Sequence, residues 1–318
     1  MKKVLFVDHT HPLLIQKLEQ SGFVCVLLEN NDRKAVSDVI HQYTGIIIRS
    51  GIILDKEILS KASHLKFIGR VGSGLESIDL DFAKSKNIAC FNSPEGNRDA
   101  VGEHTLGILL CLLNNICVSG NEIKQGIWLR EQNRGVEISG KTIGIIGYGN
   151  MGSAFARKVF GFKANVISYD KYKTKYANHF TKEVSLETIF EQADIVSIHI
   201  PLTPENKYFI NAGFIHSFRK NIYLVNTARG PVLKTSDLVA ALKSGKVSGA
   251  ALDVIEYEES SFDKMNLENM PDDFHFLCQQ PNVVLTPHIA GYTNESKIKL
   301  AEILADKIID FSKQSGIL

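Results

Sequence analysis

The chain has 318 residues, of which 44% are hydrophobic and 22% charged, and its 36 Lys and Arg against 35 Asp and Glu leave a formal net charge of +1. This is globular composition, long enough to favour two domains. It lacks the clustered basic charge that a nucleic-acid footprint needs, so no nucleic-acid partner is expected.

The opening "MKKVLFVDHT" carries a short apolar run broken by Asp8 and reads as a first strand, not a signal peptide. Residues 3–8, 23–28, 45–50, 65–71 and 87–92 then alternate as short apolar runs with helix-length segments. Such alternation predicts βαβ units and a parallel sheet. Residues 98–120 read as one long helix, started by Asp99 or Asn97 and ended by Gly120. Its "LGILLCLL" stretch is far short of a membrane span, so no membrane association is expected. A second alternation follows, with strands predicted at 141–147, 164–170, 193–200, 221–227, 248–254 and 282–286, and a final helix from Thr293 to about Lys313. The stretch 256–281 is acidic, irregular and long for a loop, a pattern typical of functional or mobile segments. Five scattered cysteines without a CxxC pair predict reduced thiols in a cytoplasmic protein. "DHTH" (8–11) is not a convincing ligand set and no other metal cluster is evident, so no metal is expected.

"IGIIGYGNMG" places Gly147, Gly149 and Gly152 directly after a predicted strand and at the start of a predicted helix. Gly147 permits the tight turn, Gly149 admits a pyrophosphate to the backbone, and Gly152 lets helix and strand pack closely. The helix N-terminus then faces the phosphates. Asp170 ends the next strand about twenty residues on, placed to accept the ribose hydroxyls and to repel a 2′-phosphate. The pattern predicts NAD over NADP, with Lys171 next door as a countervailing charge.

Three ionisable residues follow predicted strands of this second half: Arg229 after 221–227, Glu258 after 248–254 and His288 after 282–286. Open α/β sheets bind ligands beyond the carboxyl ends of their strands. Arginine grips a carboxylate with two hydrogen bonds. Histidine exchanges a proton with an alcohol oxygen near neutral pH. A nearby glutamate favours the imidazolium. Alone, Arg229 reads as a surface ion pair and His288 as a structural residue. Together, after a glycine turn, they suit hydride transfer between a 2-hydroxy acid and its 2-oxo acid.

"GIIGYGNMG", "HIPLTPEN" (199–206), "LVNTARGPVL", "GAALDV" and "TPHIAG", with "GRVGSGLESIDL" (69–80) and "NSPEGNRDAVGEHTLGILL" (92–110), resemble the D-isomer-specific 2-hydroxyacid dehydrogenase family over nearly the whole chain. The resemblance implies an α/β fold of two Rossmann-like or flavodoxin-like domains with parallel sheets. A substrate-binding domain of residues 1–97 plus 292–318 would be interrupted by an NAD-binding domain of 98–291, with the active site in a cleft that closes by hinge motion near Asn97 and Gly291. It implies a triad of Arg229, Glu258 and His288, and extends the cofactor set to Asn150, Met151, His199, Pro201, Thr227, Ala228, Asp253 and Gly291. It also implies a homodimer through 98–120 and the following "KQGIW", whose apolar face is then either interfacial or core. The family places Pro after its glutamate, whereas this chain reads "EYEESS". Glu256 and Glu259 are therefore rivals, and Glu258 is chosen for its spacing to Arg229 and to "ALDV". The segment from Glu258 to His288 is longer than in many relatives and is a lid, a subunit contact or a neutral insertion.

Arg49, Arg70, Arg130 and the turn Gly72–Ser73–Gly74 form a further anion-binding set, the arginines either meeting substrate or forming salt bridges. Their match to D-3-phosphoglycerate dehydrogenases within the family implies 3-phosphoglycerate and 3-phosphohydroxypyruvate, the entry to serine biosynthesis, as the substrate pair. The same scaffold also serves glyoxylate/hydroxypyruvate reductases and D-lactate-type enzymes. A reading from another class is an NAD(H)-sensing, corepressor-like binding protein that keeps the triad.

Overall fold

The computed structural model describes residues 2–30, 32–258 and 270–318. The chain divides into two compact units, Met1–Arg98 with Tyr292–Leu318, and Asp99–Gly291.

The first unit contains β1 (Lys3–Phe6), α1 (Pro12–Gln20), β2 (Val24–Leu27), α2 (Arg33–Val39), β3 (Gly45–Ile48), α3 (Lys56–Ser60), β4 (Phe67–Arg70), α4 (Leu80–Ser85) and β5 (Ala89–Asn92). The sheet is parallel throughout, in the order β2-β1-β3-β4-β5. All four residues of β3, "GIII", are buried, as continuous apolar runs are when both sheet faces are covered. Asp32, Asp55 and Asp79 accept from the amides of Ala35, Ile58 and Phe82 in the first turns of α2, α3 and α4, which sets where those helices begin. The C-terminal helix Asn294–Gln314 belongs to this unit. Its Ala301, Leu304, Ala305 and Ile308 are fully buried with Phe6, Leu14, Ile47 and Phe67. A capping box between Thr293 and Ser296 starts it.

The second unit opens with α5 (Arg98–Leu113) and α6 (Ile116–Lys124). A single helix over 98–120 was expected; instead the two axes bend by 62°. Asn115 sits at φ +52°, a left-handed conformation that cannot continue a right-handed helix. The Leu113 carbonyl accepts from Val136 N at 2.8 Å, away from the helix axis. Gly120, expected to end the helix, lies inside α6, and Gly126 at φ +75° follows its end instead. Ile108, Leu109, Leu112 and Leu113 pack with Ile143, Ile145 and Phe155, so this face of "LGILLCLL" is core. Among the described residues no single helix is long and apolar enough to cross a membrane.

There follow β6 (Thr142–Ile146), α7 (Asn150–Val159), β7 (Asn165–Tyr169), β8 (Lys182–Glu183), α8 (Leu186–Gln192), β9 (Ile195–Ile198), α9 (Ala212–His216), β10 (Ile222–Asn226), α10 (Thr235–Lys243), β11 (Val247–Leu252), α11 (Asp272–Gln279) and β12 (Val283–Leu285). The order is β12-β11-β10-β9-β6-β7-β8, again parallel. β8 is a two-residue edge strand without a period to read. Part of the stretch expected to be irregular is helical: α11 buries Phe274 and Leu277. Residues 259–269, which include the rival Glu259, lie outside the described residues.

Candidate active site

β6 pairs with β7 on one side and β9 on the other, so the chain reverses its direction of travel across the sheet there. Ligands of doubly wound sheets bind at that crevice. The glycine turn leads straight out of β6. Gly147 has φ +92°, and a Cβ on it would stand 2.7 Å from the His199 carbonyl oxygen that follows β9. A Cβ on Gly152 would stand 2.1 Å from the Gly147 carbonyl oxygen, so helix and strand close up only because that residue is glycine. A Cβ on Gly149 would meet nothing within 4 Å. Asn150 and Met151 form the first turn of α7, which has no acidic residue and no side-chain cap. Free amides and a positive helix end with no carboxylate against them fit a dinucleotide pyrophosphate.

Asp170 follows β7. Its Oδ2 accepts from Tyr148 N in the glycine turn at 2.8 Å, and its Oδ1 from the amides of Tyr172 and Lys173, each at 3.0 Å. A carboxylate has about four acceptor sites, so capacity for a ribose hydroxyl remains. After β9, burial pushes the His199 imidazole down to about 3, so the ring is neutral at physiological pH. Its Nε2 lies 2.8 Å from Ser197 Oγ, and its buried Nδ1 has no hydrogen-bond partner among the described residues. Pro201 follows in the same loop and accepts from Asn206 Nδ2 at 2.9 Å.

β10, β11 and β12 are neighbours in the sheet and point the same way. Their carboxyl ends deliver the three expected ionisable residues. Beyond β10, buried Asn226 shapes the turn: its Oδ1 accepts from Ala228 N at 3.0 Å and its Nδ2 donates to the Arg229 carbonyl at 3.2 Å. Thr227 Oγ1 lies 2.9 Å from Thr105 Oγ1 on α5. Arg229 Nη1 donates to the Ala228 carbonyl at 2.7 Å. A Cβ on Gly230 would stand 1.8 Å from the Ile255 carbonyl oxygen, so the loops after β10 and β11 pack backbone to backbone.

Glu258 Oε2 lies 2.7 Å from His288 Nδ1, and Glu258 Oε1 accepts from Ile255 N at 2.5 Å. An ionised glutamate bonds that nitrogen only when it carries hydrogen. Nδ1 is thereby assigned the proton, and Nε2 becomes the position that exchanges one. Glu256 is held elsewhere: Tyr208 donates to its Oε1 at 2.5 Å and Thr235 N to its Oε2 at 2.9 Å.

His288 adopts φ +56°, uncommon for a non-glycine residue. Buried Asp253 holds it there. The Asp253 carbonyl accepts from His288 N at 2.8 Å. Its Oδ1 accepts from Thr286 Oγ1 at 2.6 Å and Ile289 N at 2.9 Å, and its Oδ2 from Ala290 N at 2.8 Å. His104 Nε2 on α5 lies 3.2 Å from Asp253 Oδ1 and 3.1 Å from Thr286 Oγ1. Burial opposes the charge on Asp253, but the bonds from His104, Thr286 and the two amides outweigh it and hold the carboxyl below its usual pKa. In this structure Asp253 positions the loop that carries His288 and runs on to Gly291. His104 was not read from the sequence. It lies 182 residues from Thr286 on a helix that otherwise reads as core.

In the first unit, Arg70 ends β4 and donates Nε to the Arg49 carbonyl at 3.3 Å. Its guanidinium lies over the turn, since a Cβ on Gly72 (φ +148°) would meet Arg70 Nη1 at 1.8 Å. Ser73 donates Oγ to Asn97 Oδ1 at 2.7 Å and accepts at its carbonyl from Asn92 Nδ2 at 2.5 Å, which anchors the turn that runs on to Gly74. Arg49 follows β3 and makes no ion pair with a described residue. Arg130 belongs to the second unit, on the exposed segment after α6, where it lines a hollow with Trp128.

Residues 106–290 match the family described as D-isomer specific 2-hydroxyacid dehydrogenase, NAD binding domain. The chain is 33% identical over 311 residues to the D-3-phosphoglycerate dehydrogenase of Methanocaldococcus jannaschii, covering 97% of this chain and 57% of that one. It thus spans a little over half the length of such relatives. It is 32% identical to the hydroxypyruvate reductase of Thermotoga maritima, over 92% of this chain and 91% of that one. The structure of Aquifex aeolicus D-lactate dehydrogenase complexed with NAD and lactic acid superposes with a TM-score of 0.84 at 28% identity, covering 98% and 96% of the two chains. With its glycine turn, its parallel sheets and these likenesses, the chain belongs to the D-isomer specific 2-hydroxyacid dehydrogenase family, and it carries that family's NAD-binding domain.

Proposed function

We propose that this chain is an NAD-dependent oxidoreductase interconverting a D-2-hydroxy acid and its 2-oxo acid, with 3-phosphoglycerate and 3-phosphohydroxypyruvate as the pair. The observation that carries the chemistry is the 2.7 Å contact between Glu258 and His288, delivered beside the strand that presents Arg229. Arg229 grips the substrate carboxylate through its planar fork. His288 Nε2 takes the hydroxyl proton as the alcohol is oxidised and returns it in reduction. Glu258 keeps the ring oriented and stabilises the imidazolium formed when the proton arrives. When bound, the nicotinamide supplies the hydride acceptor or donor. Gly147, Gly149, Gly152 and the first turn of α7 would hold its pyrophosphate, and Asp170 its ribose.

The phosphorylated substrate is supported by the anion-binding character of the first unit. Arg49 has no ion pair with a described residue, and Arg70 overlies the Gly72–Ser73–Gly74 turn. Arg130 joins them by resemblance alone. The identity to D-3-phosphoglycerate dehydrogenases supports the same choice. Hydroxypyruvate reduction is the second reading, supported by the Thermotoga relative. A homodimer is proposed through α6 and the segment after it, where Ile116, Ile123 and Trp128 stay 51%, 52% and 75% exposed, more apolar surface than a free helix face needs. Five unpaired thiols support a cytoplasmic setting.

The test is the initial rate of NADH oxidation with 3-phosphohydroxypyruvate, hydroxypyruvate, glyoxylate and pyruvate, with His288→Ala as control. The expected result is the highest kcat/KM for the phosphorylated acid. A preference for hydroxypyruvate would transfer the assignment to the second reading. NADH binding without turnover of any acid would favour a sensing role.

A further inference from the structure

β6 lies between β7 and β9, so the loops after β7 and β9 flank the glycine turn on its two sides. Three residues tie those loops together. Lys171, directly after Asp170, is ion-paired through Nζ with Glu205 Oε1. Tyr172 donates its hydroxyl to Glu205 Oε2 at 3.0 Å, and the Lys171 ammonium lies 5.7 Å from the Tyr172 ring centroid. Glu205 is itself held, because its neighbour Asn206 is buried, donates Nδ2 to the Pro201 carbonyl at 2.9 Å and donates its backbone N–H to Thr203 Oγ1 at 3.2 Å. The other cation beside Asp170, Lys173, donates to the Tyr148 carbonyl at 3.1 Å.

A 2′-phosphate on the dinucleotide needs a cation at the end of the second strand of the unit, and a carboxylate there repels it. Lys171 is that cation by position. With Lys171 available, Asp170 alone leaves the choice balanced. With Lys171 paired to Glu205, the cation next to Asp170 in the chain is engaged, and Lys173 is held on the Tyr148 carbonyl. We propose that the Lys171–Glu205–Tyr172 clasp makes this chain select NAD over NADP, an inference that rests on reading the glycine turn as the dinucleotide site. Glu205 acts through Lys171 and is a specificity-determining residue of the second loop, not a catalytic one. Lys171 and Glu205 side chains are 51% and 54% exposed, so water and salt screen the pair and its effect is a matter of a few-fold.

The experiment is titration of the full chain with NADH and with NADPH, followed by fluorescence of the reduced nicotinamide, for the wild type, Glu205→Gln, Lys171→Gln and the double variant at low salt. The quantity read is the ratio of the two dissociation constants. The wild type is expected to favour NADH. Glu205→Gln is expected to shift the ratio toward NADPH by about fivefold. The double variant is expected to return to within about twofold of Lys171→Gln, since the gain works through the released ammonium. A ratio unmoved by Glu205→Gln, with NADH still bound, overturns the clasp alone. A gain that survives in the double variant also overturns it, because simple relief of repulsion then accounts for the shift. Failure of the wild type to bind either dinucleotide overturns the clasp together with the cofactor reading.

Discussion

Each unit has a point where the order of strands across its parallel sheet reverses, and the two are finished differently. In the five-stranded sheet the reversal falls between β1 and β3, and Asp8 stitches it: its Oδ2 accepts from Arg49 N at 2.6 Å. A Cβ on Gly51 would stand 2.9 Å from Asp8 Oδ1, so the carboxylate lies against the turn after β3. In the seven-stranded sheet the reversal falls between β6 and β9; Asp170 takes only the Tyr148 amide of the glycine turn there, and the first turn of α7 has no acidic residue and no side-chain cap. Topology supplies a crevice both times. The first puts a negative group against it and brings cations alongside on Arg49 and Arg70. The second leaves positive backbone dipoles for an anion. Parallel α/β topology therefore does not by itself make a dinucleotide site; the charge placed at the reversal does.

This contrast is sharpest at the end of the second sheet that carries Arg229, Glu258 and His288. His288→Ala is expected to lower kcat by about two to four orders of magnitude, the usual worth of a positioned acid–base group, with NADH affinity measured by fluorescence as the reference. Next in size, Gly152→Ala forces a methyl against the Gly147 carbonyl and is expected to weaken NADH binding by about tenfold and to lower the melting temperature, as overpacking does. Asp253→Asn breaks the loop that holds His288. It is expected to cost about 1–3 kcal/mol at neutral pH and to depress kcat more than it raises KM. The pH sign follows from the lowered carboxyl of Asp253. A group whose folded pKa is depressed stabilises fully above its unfolded value of about 3.9 and loses that contribution as pH falls below it. The melting gap between wild type and Asp253→Asn is thus expected to be constant at neutral pH and to close below about pH 4. Smallest, Asp8→Asn in the first unit is expected to cost about 1 kcal/mol of stability and to leave NADH affinity untouched. A loss of NADH binding in that variant would break the distinction between the two crevices.

Much of this was legible in the chain itself. Strand runs such as "GIII" and "TIGII" are apolar on both faces because both faces are covered, and that pattern is local. The glycine turn was legible because Gly147 and Gly152 answer a turn and a close approach that only glycine meets. The one-helix reading of 98–120 failed because the break depends on Asn115 turning left-handed and on Val136 claiming the Leu113 carbonyl, a bond across the fold. Choosing among Glu256, Glu258 and Glu259 by spacing could not show that Glu256 is tied to Tyr208 and Thr235, while Glu258 reaches His288.

Sequence alone determined most strands, their alternation with helices and the residue types suited to hydride chemistry, since periodicity and turn chemistry act over a few residues. Tertiary structure decided which of those residues meet. His104 with Asp253 and Lys171 with Glu205 are joined across 149 and 34 positions of chain, counted from their residue numbers. Hydrogen bonds and ion pairs act over a few ångströms of space, and sequence distance does not record where folding brings their partners together.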